Sequence, residues 1–152
     1  EKPIRILLVD DEADLVEFLA HLLLKRGYTV TATISGAEAI AAVEAQMFDV
    51  AILDLKMPRM DGIETSLRLR ADMDGHHWPK IILVTAYDQN AAAREMQRAQ
   101  LDGLLIKPVS PSRLFNAICE AYEVVNRDER LKPARSHQMR ISSGVCRWAY
   151  RG

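Results

Sequence analysis

The stretch Ile4-Arg5-Ile6-Leu7-Leu8-Val9-Asp10-Asp11-Glu12 is a largely apolar run that stops on adjacent carboxylates. Three later runs have the same form. Val50-Ala51-Ile52-Leu53 stops on Asp54, Ile81-Ile82-Leu83-Val84 on Thr85, and Leu104-Leu105-Ile106 on Lys107. Short apolar runs bounded by polar residues read as strands buried on both faces of a sheet. In an open parallel sheet, ligands bind at the carboxyl ends of the strands. Three carboxylates, a hydroxyl and an ammonium are therefore expected along one edge. Fold and chemistry rest on the same observation.

Working outward, helical periods separate the runs. Over Glu12–Arg26, Leu15, Phe18, Leu19, Leu22 and Leu23 recur at three- and four-residue spacing, giving one apolar face. Gly27 ends that helix, where a left-handed residue is wanted. Tyr28–Thr33 alternates and is rich in β-branched residues, which suits a peripheral strand. Ser35 as N-cap and Glu38 at the third helical position make a capping box for a helix over Ala37–Gln46. The third strand spans Asp49–Leu53, followed by a Pro58–Gly62 loop and a helix over Ile63–Arg70. A polar connector, Ala71–His77, precedes a strand at Lys80–Val84, a helix at Ala91–Gln100 and a strand at Gly103–Ile106. Ser110 caps a last helix to about Asn126, with Pro111 in its first turn, where a missing N–H costs nothing. This alternation predicts an α/β doubly wound parallel sheet of five strands with helices on both faces.

At 152 residues with 49% hydrophobic and 27% charged residues, the chain has the size and composition of one soluble globular domain. Its apolar stretches are far shorter than the ~20 residues that span a bilayer, and no secretory signal pattern opens it. No membrane insertion by this chain is expected. The net charge of −1 hides an asymmetry: residues 1–126 carry 13 Lys+Arg against 19 Asp+Glu, and residues 127–152 carry 7 against 2. An acidic body with a basic tail is not the footprint of a nucleic-acid-binding domain, so no direct nucleic-acid binding is expected. Residues 1–126 are read as the domain. Residues 127–152 are read as a basic linker or cloning-derived tail, expected to be poorly ordered. The start at Glu1-Lys2-Pro3 suggests a fragment of a longer protein. Cys119 and Cys146 have no metal-ligand spacing. Cys119 falls on a helical apolar face as an expected buried free thiol, in keeping with a reducing cytoplasm.

Each strand-end residue has two readings. Asp10 and Asp11 repel one another unless a cation lies between them, and a hard divalent ion such as Mg²⁺ resolves this. Acids at a helix N-terminus are the plainer alternative. A carboxylate at Asp54, ending the most apolar strand, is costly to desolvate without a partner. It either caps a turn or serves as a nucleophile that forms an aspartyl-phosphate. Lys107 suits a phosphoryl group or a carboxylate, and Pro108 after it permits a cis peptide. Thr85, taken singly, is an ordinary strand residue.

In combination, Leu8-Val9-Asp10-Asp11-Glu12, Asp54-Leu55-Lys56-Met57-Pro58-Arg59-Met60-Asp61-Gly62, Thr85-Ala86 and Lys107-Pro108 resemble the receiver domain of two-component response regulators. The match runs over roughly residues 4–125, with every motif in order. The resemblance implies a flavodoxin-like fold with the sheet order 2-1-3-4-5. It also implies that Asp54 accepts a phosphoryl group from a phosphohistidine. Asp11, Asp54 and the Lys56 backbone carbonyl would bind Mg²⁺ (or Mn²⁺), with Asp10 assisting. Lys107 would pair first with Asp54 and then with the phosphoryl oxygens. Thr85 would hydrogen-bond the phosphoryl group, with Ala86 leaving room for it. Lys56 and Tyr87 occupy positions that tune phosphoryl lifetime. The family often carries an aromatic residue where Leu104 stands, so the signal is expected to travel through backbone shifts after Thr85.

The partners so implied are a histidine kinase or a histidine phosphotransfer domain, and a receiver homodimer. The receiver would catalyse its own phosphotransfer and dephosphorylation. Lys107-Pro-Val-Ser-Pro-Ser-Arg-Leu-Phe115 resembles receivers inside hybrid sensor kinases, so the expected parent is a hybrid histidine kinase, itself an enzyme and membrane-anchored or cytoplasmic. The alternatives are a stand-alone or output-linked regulator and a phosphorylation-independent interaction module. An aspartate-nucleophile phosphatase would want an Asp where Lys56 stands. A nucleotide or flavin binder would want glycines where Asp10-Asp11-Glu12 stands.

Overall fold

The computed structural model describes residues 2–71, 78–86, 89–130, 137–142 and 145–150. Five parallel strands, β1 (Arg5–Val9), β2 (Thr29–Thr33), β3 (Val50–Asp54), β4 (Lys80–Thr85) and β5 (Gly103–Ile106), stand in the order β2-β1-β3-β4-β5. Helices α1 (Ala13–Lys25), α2 (Gly36–Ala45), α3 (Gly62–Ala71), α4 (Gln89–Ala99) and α5 (Pro111–Arg130) alternate with them. This is the doubly wound sheet that the alternating pattern predicts, in the flavodoxin-like order that the resemblance implies.

The two-residue period of the strands sorts the core into two layers. Ile6, Leu8, Val50, Ile52, Ile82, Val84 and Leu105 point to one face, where Leu19 and Leu23 of α1 and Leu114 and Ile118 of α5 cover them. Leu7, Val9, Ala51, Leu53, Ile81 and Leu83 point to the other, beneath Ala39 of α2, Leu69 of α3 and Ala99 of α4. Central β3 is buried along its whole length, whereas β2 lies at an edge and is partly exposed. An all-apolar strand needs cover on both faces, and only the middle of the sheet offers that.

The local signals sit where the sequence places them. Gly27 has φ +88° after α1. The Glu38 N–H donates to Ser35 Oγ at 3.1 Å, while the Glu38 carboxylate accepts the Ile34 N–H at 3.0 Å. The last helix begins at Pro111, and Lys107–Pro108 is cis.

Four expectations need correction. The buried stripe of α1 is Val16, Leu19 and Leu23, and Phe18 is 53% exposed. At 100° per residue, Phe18 falls beside the stripe that contains Leu15, Leu19, Leu22 and Leu23. Both β3 and β4 run one residue further than expected, because Asp54 pairs with Val84 and Thr85 with Ile106 in the ladder. The last helix runs past about Asn126 to Arg130, and beyond it β6 (His137–Ser142) pairs antiparallel with β7 (Val145–Tyr150). Finally, Cys119 is buried as expected but is disulfide-bonded, not a free thiol. Burial follows from the helical period, whereas pairing depends on distant chain. The connector 72–77, with His76 and His77, lies outside the described residues.

Candidate functional site

The strand register builds the site. Val9 of β1 lies beside Leu53 of β3, Asp54 beside Val84 of β4, and Thr85 beside Ile106 of β5. The next residues, Asp10-Asp11 and Lys107, therefore flank Asp54 and Thr85 on one edge. Oxygens of Asp10, Asp11 and Asp54 lie within 4.8 Å of one another. Asp10 and Asp54 are buried and Asp11 is exposed. Lys107 Nζ stands 3.2 Å from Asp54 Oδ1 and 3.5 Å from Asp10 Oδ2, so it bridges two carboxylates. The Glu12 N–H donates to Asp10 Oδ1 at 2.9 Å and orients that carboxylate.

Among the described residues, three carboxylates gather beside the Lys107 ammonium. Burial, then the negative charge of Asp10, pushes the Asp54 carboxyl up to about 6, against the pull of Lys107. Burial likewise raises Asp10, although the Glu12 N–H and Lys107 oppose it. For Lys107 burial works against the ammonium, but the hydrogen bond to Asp54 and the charges of Asp10, Asp54 and Glu12 outweigh it, and its pKa is raised. Anionic oxygens in excess of their counter-charge, with Asp11 open to solvent, fit a hard divalent cation. Mg²⁺ suits them because it binds through one or two carboxylates and keeps water or phosphate oxygens in its remaining positions.

The loop after Asp54 folds back on the strand. Gly62 N–H donates to the Leu55 carbonyl at 2.9 Å, and a Cβ on Gly62 would collide with the Asp54 carbonyl oxygen. Only glycine permits this approach. Arg59, at φ +69°, makes the turn in the left-handed region. Asp61 caps α3 by accepting the Glu64 N–H at 2.7 Å. Lys56 and Met57 then line an open groove of about 750 Å³ that reaches Leu67 of α3 and Glu95 and Arg98 of α4.

Of the residues singled out from the sequence, Asp10, Asp11, Asp54 and Lys107 come together directly. Thr85 is buried at the end of β4, and its carbonyl accepts the Lys107 N–H at 2.8 Å. Lys56 follows Asp54 by two residues, and Ala86 is exposed beyond Thr85. Leu104 pairs with Leu83 on the sheet face beneath α2, α3 and α4, and Pro108 is the cis residue after Lys107. Tyr87 lies outside the described residues. The sequence reading did not anticipate the second contact of Lys107, to Asp10, nor the close approach of Gly62. The Pro58–Gly62 loop was the available signal for the latter.

A family model for the response regulator receiver domain matches residues 6–119. The chain belongs to the response regulator receiver family. As a receiver it is a module of two-component signal transduction. Among curated relatives, the alginate biosynthesis transcriptional regulatory protein AlgB of Pseudomonas aeruginosa is 30% identical over 95% of this chain and 32% of its own length. The transcriptional regulatory protein GlrR of Escherichia coli is 32% identical over 80% of this chain and 27% of its own. The chain thus spans about a third of the length of the AlgB relative. Among solved structures, a CheY-like receiver domain protein from Methanospirillum hungatei superposes with a TM-score of 0.75 at 28% identity, covering 84% of this chain and 99% of that one. Among the described residues, no helix is long and apolar enough to cross a membrane.

Proposed function

We propose that Asp54 is the phosphoacceptor of a two-component phosphorelay. The observation that carries this reading is a buried carboxylate at the end of β3 with an ammonium at 3.2 Å and two more carboxylates beside it. An Asp54 oxygen attacks the phosphorus of a phosphohistidine; the P–N bond breaks, an acyl phosphate forms, and the imidazole leaves with the bonding electron pair. Such transfer depends on positioning and charge stabilisation more than on covalent help. Lys107 leaves its contact with Asp54 to meet the phosphoryl oxygens, and the Thr85 hydroxyl hydrogen-bonds the group at the edge of β4. Asp11, Asp54 and the Lys56 carbonyl would hold Mg²⁺ (or Mn²⁺), with Asp10 assisting. That ion, when bound, neutralises charge on the transferring group. Ala86 leaves room beside Thr85, while Lys56 and Tyr87 tune how long the phosphoryl group lasts.

The donor we infer is a histidine kinase or a histidine phosphotransfer domain, in the cytoplasm where such donors present phosphohistidine. The Cys119 disulfide argues against a reducing compartment. A receiver homodimer and the division at residue 126 belong to the same proposal. For the parent protein, the names and lengths of AlgB and GlrR favour an output-linked transcriptional regulator. The Lys107–Phe115 segment favours a hybrid kinase, and the reading frame on either side of this chain decides between them.

Acetyl phosphate with Mg²⁺ should add one phosphoryl group, read by intact mass, and Asp54→Ala should abolish the addition. Equal labelling of the mutant would overturn the assignment. Omitting Mg²⁺ should suppress labelling of the wild type.

A further inference from the structure

Helices α2 and α3 meet at their first turns, and each begins on a buried glycine, Gly36 and Gly62. Gly27 has a positive φ, but Gly36 and Gly62 do not. These two positions therefore demand space, not backbone freedom. A Cβ on Gly62 would collide with the Asp54 carbonyl and crowd a methyl of Leu83. A Cβ on Gly36 would collide with Thr65 Oγ1 and press on Met60 Sδ. The start of α2 thus rests on Thr65, and the start of α3 rests on the backbone of Asp54.

The turn that joins the two contacts is stiff. The Asp61 carbonyl accepts the Thr65 N–H at 2.9 Å and the Thr65 hydroxyl at 2.7 Å, while the Asp61 carboxylate accepts the Glu64 N–H at 2.7 Å. Thr65 is fully buried, so water cannot take the place of that hydroxyl bond. The Asp54–Leu55 peptide is also held from the sheet. The Leu55 N–H donates to the Val84 carbonyl at 2.8 Å, and the Leu55 carbonyl accepts the Gly62 N–H at 2.9 Å. The turn that leads into α2 reaches the site a second time, where the Thr33 carbonyl accepts the Asp10 N–H at 3.3 Å. Close-packed interiors pass small displacements on. A shift of α3 toward the sheet would therefore move the Asp54 backbone, and with it the carboxylate that stands 3.2 Å from Lys107 Nζ.

We propose that Thr65 is a positioning residue for phosphotransfer: wedged between Gly36 and the first turn of α3, it holds Gly62 against the Asp54 backbone and so aims the acceptor carboxylate. The proposal rests on the receiver reading and deepens it. Initial rates of labelling by acetyl phosphate with Mg²⁺, read by intact mass on the full chain, test it. Hydrogen exchange of the Leu55 amide and thermal melts accompany them. Gly36→Ala should push on Thr65, lower the labelling rate about tenfold and speed exchange of the Leu55 amide severalfold. Thr65→Ala alone should slow labelling severalfold, whereas Thr65→Ser, which keeps the hydroxyl, should label close to the wild-type rate. In the double variant the added methyl fills the space that Oγ1 leaves, so labelling should be faster than in Gly36→Ala even where the melting temperature is lower. General loosening of the fold would not raise the rate as stability falls. If Gly36→Ala does not fold, Thr65→Ala against Thr65→Ser carries the comparison. The proposal is overturned if Thr65→Ala labels at the wild-type rate, or if the double variant is no faster than Gly36→Ala. A wild type that is never labelled would remove the receiver reading and this role together, whereas a labelled wild type with unaffected variants removes this role alone.

Discussion

The two edges of the sheet use the same residue types to opposite ends. At the amino edge, Asp49 accepts the Arg5 backbone N–H at 2.8 Å and its guanidinium at 3.3 Å. Asp102 there accepts the Ile81 N–H and lies within reach of both Arg70 and Lys80. Two carboxylates meet three cations and two backbone donors. At the carboxyl edge, among the described residues, Asp10 and Asp54 share the ammonium of Lys107, with Asp11 beside them. Counter-charge separates the two clusters. A satisfied cluster ties strands together, whereas one short of positive charge stores a demand for a cation, and receivers work through such a demand.

Removing a carboxylate should therefore have opposite consequences at the two edges. The largest effect is expected at the amino edge. Asp102→Ala removes the carboxylate from Arg70 and Lys80 and leaves the Ile81 N–H without its side-chain acceptor, and should cost about 2–3 kcal/mol in urea unfolding. Labelling of Asp54 by acetyl phosphate should persist in the folded fraction. A neutral result would mean that the amino-edge cluster is not the structural one.

At the carboxyl edge, Asp54→Asn should abolish phosphorylation and yet stabilise the metal-free protein at pH 7, by on the order of 2 kcal/mol. The sign follows from the raised pKa. Folded Asp54 titrates at about 6 against an ordinary 3.8, so the folded state binds the proton more tightly. Wild-type stability should then rise as pH falls from 7 through 6 toward 4, and its gap to Asp54→Asn should close over that window. Thermal melts at pH 7 and pH 4 measure it, and a gap independent of pH would break the argument from charge.

A smaller effect is expected from the ion itself. Mg²⁺ at about ten times its Kd should stabilise the wild type by ~1.4 kcal/mol. Most of that gain should vanish in Asp11→Asn and survive in a variant at Asp49. The smallest change is Arg59→Gly, which relieves a left-handed backbone next to the site and should stabilise by less than about 1 kcal/mol. Its labelling with acetyl phosphate should be unchanged.

The legible parts of this molecule were local. Gly27, the Ser35–Glu38 capping box and Pro111 act within one turn of chain, so sequence spacing is enough to place them. Non-local features were not legible in the same way. The disulfide state of Cys119 and the reach of Arg70 to Ala99 depend on segments distant in sequence. Phe18 shows the limit even within a helix, because a list of apolar residues at helical spacing does not say which of them the sheet will cover. At the site, residue identities were readable at Asp10, Asp11, Asp54, Thr85 and Lys107, but Lys107 had been matched with Asp54 alone.

The sequence by itself determined that four apolar strands end in carboxylates, a hydroxyl and an ammonium, since alternating burial and polar termination are written residue by residue. The order β2-β1-β3-β4-β5 and its register decided that these ends meet. Only the tertiary structure put Lys107 within 3.5 Å of two carboxylates and buried Asp54 far enough to raise its pKa to about 6. The physical reason is that Coulomb energy and desolvation depend on separation and on excluded water, which exist only once the strands lie side by side.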